Sequence, residues 1–137
     1  MLDVDNTLSP PDSIDMFDGV DKWLDGLKKK NIKIILISNN NEKRLSVFSA
    51  VAKISAYIFN AHKPLPYKVK KELHRKKENV LMVGDQILTD ILMANLAGYR
   101  SILVNPQSKD PDRMSFRFKR CFEKIVKNKI QKCVTAK

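Results

Sequence analysis

The sequence predicts a three-layer α/β fold, in which helices cover both faces of a central parallel sheet. Four short apolar runs, rich in β-branched or aromatic residues, predict strands at residues 32–37, 57–59, 80–83 and 101–104. Stretches with helical spacing separate these runs. Strands that are apolar on both faces and alternate with helices are typical of a parallel sheet that is covered on both sides.

Three apolar stripes at helical spacing predict helices between the strands. Their residues are Val20, Trp23, Leu24 and Leu27 in the first, Leu45, Phe48, Val51 and Ala52 in the second, and Ile87, Leu88, Ile91, Leu92 and Leu96 in the third. We expect Trp23 to pack in the core and Gly98 to cap the third helix. Because the connections are short, we predict a single domain over residues 1–137 with no inserted cap domain.

The composition favours a compact, basic, cytoplasmic domain. The chain has 137 residues, about one domain's worth, and its 26 Lys and Arg against 15 Asp and Glu give a net charge of +11. This charge favours anionic partners or surfaces. Cys121 and Cys133 lack the spacing of a disulfide framework or a zinc site. The sequence has no apolar run of the roughly 18 residues that a membrane span requires.

Polar side chains follow three of these strands, and also follow a short strand that leads to Asp3, at the end of a parallel sheet where ligands bind. We call these segments the strand exits; they are residues 3–7 (DVDNT), 38–41 (SNNN), 62–64 (HKP) and 84–90 (GDQILTD). Taken singly, each fits a turn or a helix cap, since Asn and Asp favour both. Their occurrence in this order, each directly after a predicted strand, indicates one shared site.

In this order the strand exits resemble the four motifs of the haloacid dehalogenase (HAD) superfamily, over nearly all of the chain up to about Pro106. The segments SNNNEKR (38–44), KPL (63–65) and GDQILTD (84–90) are similar to those of the YqeG-type phosphatases, a capless group of subfamily IIIA. SILVNP (101–106) fits the last core strand of that group. The group is related to the mitochondrial phosphatidylglycerophosphate phosphatases. The resemblance implies a Rossmann-like HAD fold without a cap.

The resemblance also implies a Mg²⁺-dependent phosphatase that works through an aspartyl-phosphate intermediate. Asp3 would be the nucleophile, and Asp5 would protonate the leaving oxygen and then activate the water that clears the intermediate. The Mg²⁺ ligands would be the carboxylates of Asp3 and Asp85 and the backbone carbonyl of Asp5. An Asp at position 5 favours hydrolysis over storage of the phosphoryl group, because the water step needs an acid-base group.

The remaining exit residues would bind phosphate or support the metal ligands. Ser38, Asn39 and nearby N–H groups would bind phosphoryl oxygens, and Lys63 would balance the charge of the nucleophile and the substrate. Asp90 would act on the metal through water or through another ligand.

Two exit residues have two interpretations each. Thr7 would either assist at the site or fix the turn after Asp5. His62 would either tune the phosphate site or lie on a surface turn, and the surface turn is favoured.

The first strand is expected to be shortened. In the family it runs several residues before the nucleophile, whereas here Met1 and Leu2 alone precede Asp3. Strands typically have about five or six residues, so we expect most of this one to be missing, through a start assigned too late or a shortened chain. Its neighbours would then have unpaired backbone groups, and the Met1 ammonium would lie near the carboxylates. An upstream targeting segment, mitochondrial in a eukaryote, is compatible with this expectation.

Basic residues concentrate in two segments. Residues 113–137 carry +8, from nine Lys or Arg and one Glu, and their apolar stripe predicts an amphipathic helix that packs on the sheet or lies at an anionic membrane. That stripe is Phe118, Cys121, Phe122, Ile125 and Val126. The second segment, the basic cluster, is Lys68, Lys70, Lys71, Arg75, Lys76 and Lys77.

Three functions fit these observations. The first is hydrolysis of an anionic phospholipid head group such as phosphatidylglycerophosphate, with peripheral contact to the inner face of a membrane. The second is a phosphatase for nucleic acid ends or small soluble phosphates, although the sequence shows no specific nucleic-acid motif. The third is a non-catalytic basic adaptor that retains the fold.

Overall fold

A computed structural model describes residues 1–108, which form a five-stranded parallel sheet. The strands are β1 (Leu2–Asp3), β2 (Leu36–Ile37), β3 (Tyr57–Ile58), β4 (Leu81–Gly84) and β5 (Arg100–Leu103). Their order is β3-β2-β1-β4-β5, so the strand that carries Asp3 is central. Each neighbouring pair is parallel, which confirms the predicted sheet.

Four α-helices connect the strands within the described residues: α1 (Val20–Lys29), α2 (Glu42–Ala52), α3 (Tyr67–Leu73) and α4 (Leu92–Ala97). A 3₁₀ turn (Lys77–Asn79) precedes β4, and a π-helical turn (Ile87–Ile91) precedes α4. The third apolar stripe was predicted as one helix, but the structure divides it between the π-helical turn and α4. Gly98 follows α4 with a φ of 78°, which confirms it as the cap.

Apolar side chains form two buried clusters, one for each face of the sheet. The first contains Leu24 of α1 with Leu45 and Phe48 of α2. The second contains Val69 of α3 with Met93 of α4. Helices therefore cover both faces, and the predicted three-layer arrangement is confirmed.

The prediction that Trp23 packs in the core is wrong. Trp23 is 44% exposed, whereas the neighbouring Leu24 is 1% exposed. Adjacent residues of an α-helix point about 100° apart, so the rotation of α1 that buries Leu24 leaves Trp23 at the edge of the buried stripe.

Hydrogen bonds continue the pairing of β1 beyond its two residues. Val83 donates its N–H to the Met1 carbonyl and Leu2 donates to the Ile35 carbonyl, both at 2.9 Å. The Met1 ammonium donates to the Leu81 carbonyl at 2.7 Å. The backbone groups of the neighbouring strands were expected to lack partners, but these bonds supply them. The Met1 ammonium was expected near the carboxylates of the site, whereas its hydrogen-bond partner is a backbone carbonyl.

Within residues 1–108, the longest connection between elements is residues 4–19, so this part of the chain contains no inserted cap domain. No helix of the described part has both the length and the apolar character needed to cross a bilayer. Residues 113–137 lie outside the described residues. The amphipathic helix there and the single domain over 1–137 stay predictions.

Candidate active site

The predicted strand exits meet at the carboxyl edge of the sheet. Lys63, in the loop after β3, places its Nζ 2.5 Å from Asp3 Oδ1 and 2.6 Å from Asp90 Oδ1. One carboxylate oxygen from each of Asp3, Asp85 and Asp90 lies within 4.8 Å of the others. We call these four residues the Asp–Lys cluster. Side chains from three of the four strand exits therefore share one point in space.

The Asp–Lys cluster is buried, and none of its residues is more than 8% exposed. Three ionised carboxylates and one ammonium leave two negative charges uncompensated. Burial raises the pKa of Asp3 to about 8; Lys63 opposes this shift, while Asp90 and Asp85 add to it. Burial alone would lower the pKa of Lys63, but Asp3 and Asp90 outweigh it and raise the pKa above its usual value. The cluster thus contains a charged Lys63 and favours a further cation or a proton.

A divalent cation fits this charge and these donors. Mg²⁺ prefers oxygen ligands, carboxylates above all, and its two positive charges equal the excess negative charge of the cluster. The carboxylates of Asp3 and Asp85, both predicted as ligands, are in place to hold it. Asp90 lies in the same cluster, where its Oδ1 contacts Lys63 and its Oδ2 accepts from the Gln86 N–H at 3.1 Å.

Gly84 allows Asp90 to reach the cluster. A Cβ at position 84 would lie 2.5 Å from both Cγ and Oδ2 of Asp90, too close for any side chain. Asp90 belongs to the π-helical turn, a feature that often occurs at functional sites. A larger residue at position 84 would therefore displace Asp90.

Asn39 uses its side chain to hold Lys63. Its Oδ1 accepts from the Lys63 N–H at 2.8 Å, and its Nδ2 donates to the Lys63 carbonyl at 3.0 Å. The Oγ of the buried Ser38 accepts from the Asn40 N–H at 3.0 Å. A phosphate-binding role for Asn39 is therefore left to its backbone N–H, while its amide positions the lysine.

Thr7 and His62 differ in their relation to the site. Thr7 donates from Oγ1 to Asp3 Oδ2 at 3.2 Å, which favours the interpretation that it assists at the site. His62 is exposed and stacks on Tyr67 with ring centroids 5.9 Å apart. This position fits the surface-turn interpretation.

Asp5 lies in a separate ion pair. Arg44 of α2 donates from NH2 to Asp5 Oδ1 at 2.5 Å and from NH1 to Oδ2 at 3.1 Å. Asn40 donates from Nδ2 to Oδ2 at 2.7 Å. Sequence reasoning missed both partners of Asp5, because residues 38–41, taken singly, fit a turn or a helix cap, for which Asn41 is the candidate. That cap exists, since Asn41 Oδ1 accepts from the Arg44 N–H at 3.1 Å.

A second missed contact joins the first strand exit to the last described residues. Asn6 is buried with a φ of 60°, and its Oδ1 accepts from Ser108 N at 3.2 Å and from Ser108 Oγ at 2.5 Å. The two residues are 102 positions apart, so no local pattern could have indicated the contact.

The sequence of this chain is similar to those of known proteins. Residues 52–127 match the model of the HAD-hydrolase-like family. The chain is also 35% identical over 129 residues to "Probable phosphatase YqeG" of Bacillus subtilis (strain 168). The aligned region covers 92% of this chain and 74% of that protein. The chain belongs to the HAD-like hydrolase family. Its resemblance to the YqeG type is confirmed, and so is the predicted enzyme class, a HAD-type phosphatase.

Solved structures of HAD proteins have the same fold. The HAD hydrolase YfnB from Bacillus subtilis, bound to magnesium, matches 73% of this chain and 50% of its own, with a TM-score of 0.61 and 18% identity. A haloacid dehalogenase-like hydrolase from Bacteroides fragilis matches 69% of this chain and 50% of its own, with a TM-score of 0.60 and 25% identity. The chain thus spans about half the length of these two structures.

Proposed function

We propose that this HAD-family phosphatase is Mg²⁺-dependent, forms an aspartyl-phosphate on Asp3, and acts on the phosphate monoester of an anionic phospholipid head group such as phosphatidylglycerophosphate. The observation that carries the proposal is the Asp–Lys cluster, in which Lys63 bridges Asp3 and Asp90 beside Asp85. A charge arrangement of this kind suits a carboxylate that must attack a negatively charged phosphate.

A phosphate monoester repels an attacking carboxylate, so the site must compensate charge and align the reacting oxygens. Mg²⁺ held by the carboxylates of Asp3 and Asp85 and the carbonyl of Asp5 would supply charge neutralisation and alignment. Lys63 contributes a buried positive charge at 2.5 Å from one Asp3 oxygen. Thr7 holds the other Asp3 oxygen, so the carboxylate has one orientation from which to attack.

Two steps then complete the hydrolysis. In the first, an Asp3 oxygen bonds to phosphorus, the bond from phosphorus to the leaving oxygen breaks, and Asp5 gives that oxygen a proton. In the second, a water oxygen bonds to phosphorus, the bond from Asp3 to phosphorus breaks, and Asp5 takes a proton from the water. The products are an alcohol and inorganic phosphate, and both carboxyl groups return to their starting state.

The exit after β2 supplies groups for the phosphoryl oxygens. Ser38 Oγ accepts from the Asn40 N–H, and a hydroxyl that accepts one bond can still donate its own proton. Donors placed where charge develops stabilise a transition state. Asn39 supports this role through the lysine loop that its amide holds.

Charge and accessibility support a substrate at a membrane surface. The chain carries +11, and Lys70, Lys71 and Arg75 of the basic cluster are exposed on and after α3. Each basic group near an anionic bilayer contributes about 1 kcal/mol. Residues 1–108 contain no inserted cap that would exclude a phosphate displayed on a large surface. The same proposal places the chain in the cytoplasm, in peripheral contact with the membrane.

The first experiment measures hydrolysis of p-nitrophenyl phosphate with and without Mg²⁺. We expect Mg²⁺-dependent turnover that falls by about 10³-fold or more in Asp3→Asn, because a nucleophile is lost. The exposed Asp21→Asn in α1 is the matched control and should retain wild-type activity. Turnover that Asp3→Asn leaves unchanged would reject the mechanism, and an inactive wild-type chain would favour the adaptor hypothesis.

The second experiment identifies the substrate class. Phosphate release is measured from phosphatidylglycerophosphate in anionic vesicles, from a 5′-phosphorylated oligonucleotide and from glycerol 3-phosphate. We expect kcat/KM for the lipid to exceed the others by about tenfold or more, equivalent to about 1.4 kcal/mol. Combined replacement of Lys70, Lys71 and Arg75 by Gln should lower the lipid rate and leave the glycerol 3-phosphate rate unchanged. A preference for the oligonucleotide or for glycerol 3-phosphate would overturn the lipid assignment.

A further inference from the structure

We propose that Arg44 is a positioning residue for the acid-base step, because its guanidinium fixes the Asp5 carboxylate in the orientation from which it exchanges a proton. This inference rests on the proposed phosphatase mechanism and adds to it a residue that lies outside the four strand exits.

The guanidinium meets the Asp5 carboxylate through two nitrogens and two oxygens. NH2 lies 2.5 Å from Oδ1 and NH1 lies 3.1 Å from Oδ2. Asn40 adds a bond of 2.7 Å to Oδ2. Two parallel bonds from a planar guanidinium fix both the direction and the rotation of a carboxylate. A single contact from another donor would leave the rotation free.

The same arginine connects three parts of the site. NH2 also donates to the Ser13 carbonyl at 3.3 Å, and NH1 lies 3.7 Å from Asp12 Oδ1. The Arg44 backbone is fixed in the first turn of α2 by the Asn41 cap. Arg44 therefore connects the first strand exit, the turn at residues 12–13 and the start of α2.

The bonds from Arg44 and Asn40 engage both oxygens of the Asp5 carboxylate. A carboxylate offers about four acceptor positions, and within residues 1–108 the bonds from Arg44 and Asn40 occupy two on Oδ2 and one on Oδ1. Both oxygens of the Asp5 carboxylate are therefore held in a fixed direction by groups of α2 and of the loop before it.

An acid-base group must give and take its proton at one point, and a small displacement costs a large part of its effect. Loss of a residue that orients a metal ligand typically lowers metal affinity or activity by about 10 to 100-fold, and we expect an effect of the same size for a residue that orients an acid-base group. For glycerol 3-phosphate, we therefore expect Arg44→Met to reduce kcat by about 10 to 100-fold while KM changes by less than about twofold. Arg44→Lys keeps the charge but loses the paired bonds, so its kcat should lie between those of Arg44→Met and wild type.

The dependence on the leaving group separates this role from a general structural one. An alkyl phosphate needs a proton on its leaving oxygen, whereas p-nitrophenolate leaves with little help. In Arg44→Met, we expect kcat/KM to fall about 10 to 100-fold for glycerol 3-phosphate and less than about threefold for p-nitrophenyl phosphate. Lys43→Met, an exposed cation one position earlier in α2, is the matched control and should leave both values unchanged. Equal losses on both substrates would overturn the inference.

A double-mutant cycle with Asp5→Asn completes the test. If Arg44 acts through Asp5, then Arg44→Met should reduce activity by less than about twofold in a chain that already carries Asp5→Asn. If Arg44→Met lowers the activity of the Asp5→Asn chain by as much as it lowers that of the wild-type chain, then Arg44 acts on another group and the inference is contradicted. An inactive wild-type chain would reject the proposed function, whereas an active wild type with a fully active Arg44→Met would reject the role of Arg44 alone.

Discussion

Asp3 and Asp5 stand two residues apart in the same strand exit, yet their ion pairs lie in different surroundings. In the inner pair, the side chains of Lys63 and Asp3 are 4% and 7% exposed, and two more carboxylates adjoin them. In the outer pair, Arg44 and Asp5 are 20% and 24% exposed. Water screens the outer pair and is excluded from the inner one, so we expect the inner pair to govern folding and activity and the outer pair to govern activity alone.

The largest effect should come from Lys63→Met. It leaves the buried carboxylates of Asp3, Asp85 and Asp90 without the ammonium, and breaking a buried pair in this way costs about 3–5 kcal/mol. Urea denaturation should show that the free energy of unfolding falls by this amount, and phosphatase activity should disappear. The exposed Lys43→Met should unfold like the wild type. A loss below about 1 kcal/mol for Lys63→Met would remove the proposed difference between the two pairs.

Gly84→Ala should perturb the inner pair without removing a charge. The new Cβ would meet the Asp90 carboxyl at 2.5 Å, so Asp90 must move away from Lys63. We expect a loss of about 1–3 kcal/mol in the free energy of unfolding, as for other overpacked sites, together with reduced activity. Gly26→Ala is the matched control, because a Cβ there meets nothing within 4 Å in α1. It should stabilise the chain by up to about 1 kcal/mol, and equal behaviour of the two variants would contradict the steric argument.

The inner pair should also couple pH to Mg²⁺. Without the cation, the raised pKa of Asp3 means that the folded state holds a proton more tightly than the unfolded chain. Stability should therefore fall as the pH rises from about 4 towards about 8. Mg²⁺ takes the place of that proton, so the rise in Tm that it causes should be larger at about pH 8 than at about pH 6, and EDTA should reverse it. A rise in Tm that does not depend on pH, or one that persists in Asp3→Asn, would argue against the cluster as the metal site.

The smallest effect on stability should belong to the outer pair. Replacement of Arg44 by Met breaks a partly exposed ion pair, and such pairs contribute about 0–1 kcal/mol. We expect the unfolding free energy to stay within about 1 kcal/mol of wild type while kcat falls as described above. A thermal melt alongside the activity assay checks this. Loss of stability equal to that of Lys63→Met would show that both pairs support the fold.

Much of the inner pair could be predicted from the sequence because parallel strands end at the same edge of a sheet. Asp3, Lys63 and Asp85 each follow a predicted strand closely, so the topology alone brings them together. The presence of Asp90 in the cluster could not be derived this way. It depends on the π-helical turn, and the spacing of apolar residues does not distinguish that turn from ordinary helix.

The outer pair could not be predicted, because Arg44 lies inside a helix and not at a strand end. Its contact with Asp5 depends on the residue at which α2 begins and on the direction in which the first turn of α2 faces. The cap at Asn41 indicates where the helix begins but not the direction of that turn. Trp23 shows the same limitation, since helical spacing identifies a buried stripe but not its edges. Residues at strand ends are placed by topology, whereas helix residues are placed by packing that the sequence pattern does not specify.

The contact between Asn6 and Ser108 has a practical consequence. It brings the last described residue to the loop that joins Asp3 and Asp5 to the rest of the chain. A fluorophore or a photo-crosslinker introduced at this junction would be a local reporter. Its signal would follow events at the first strand exit from a point more than a hundred residues away along the chain.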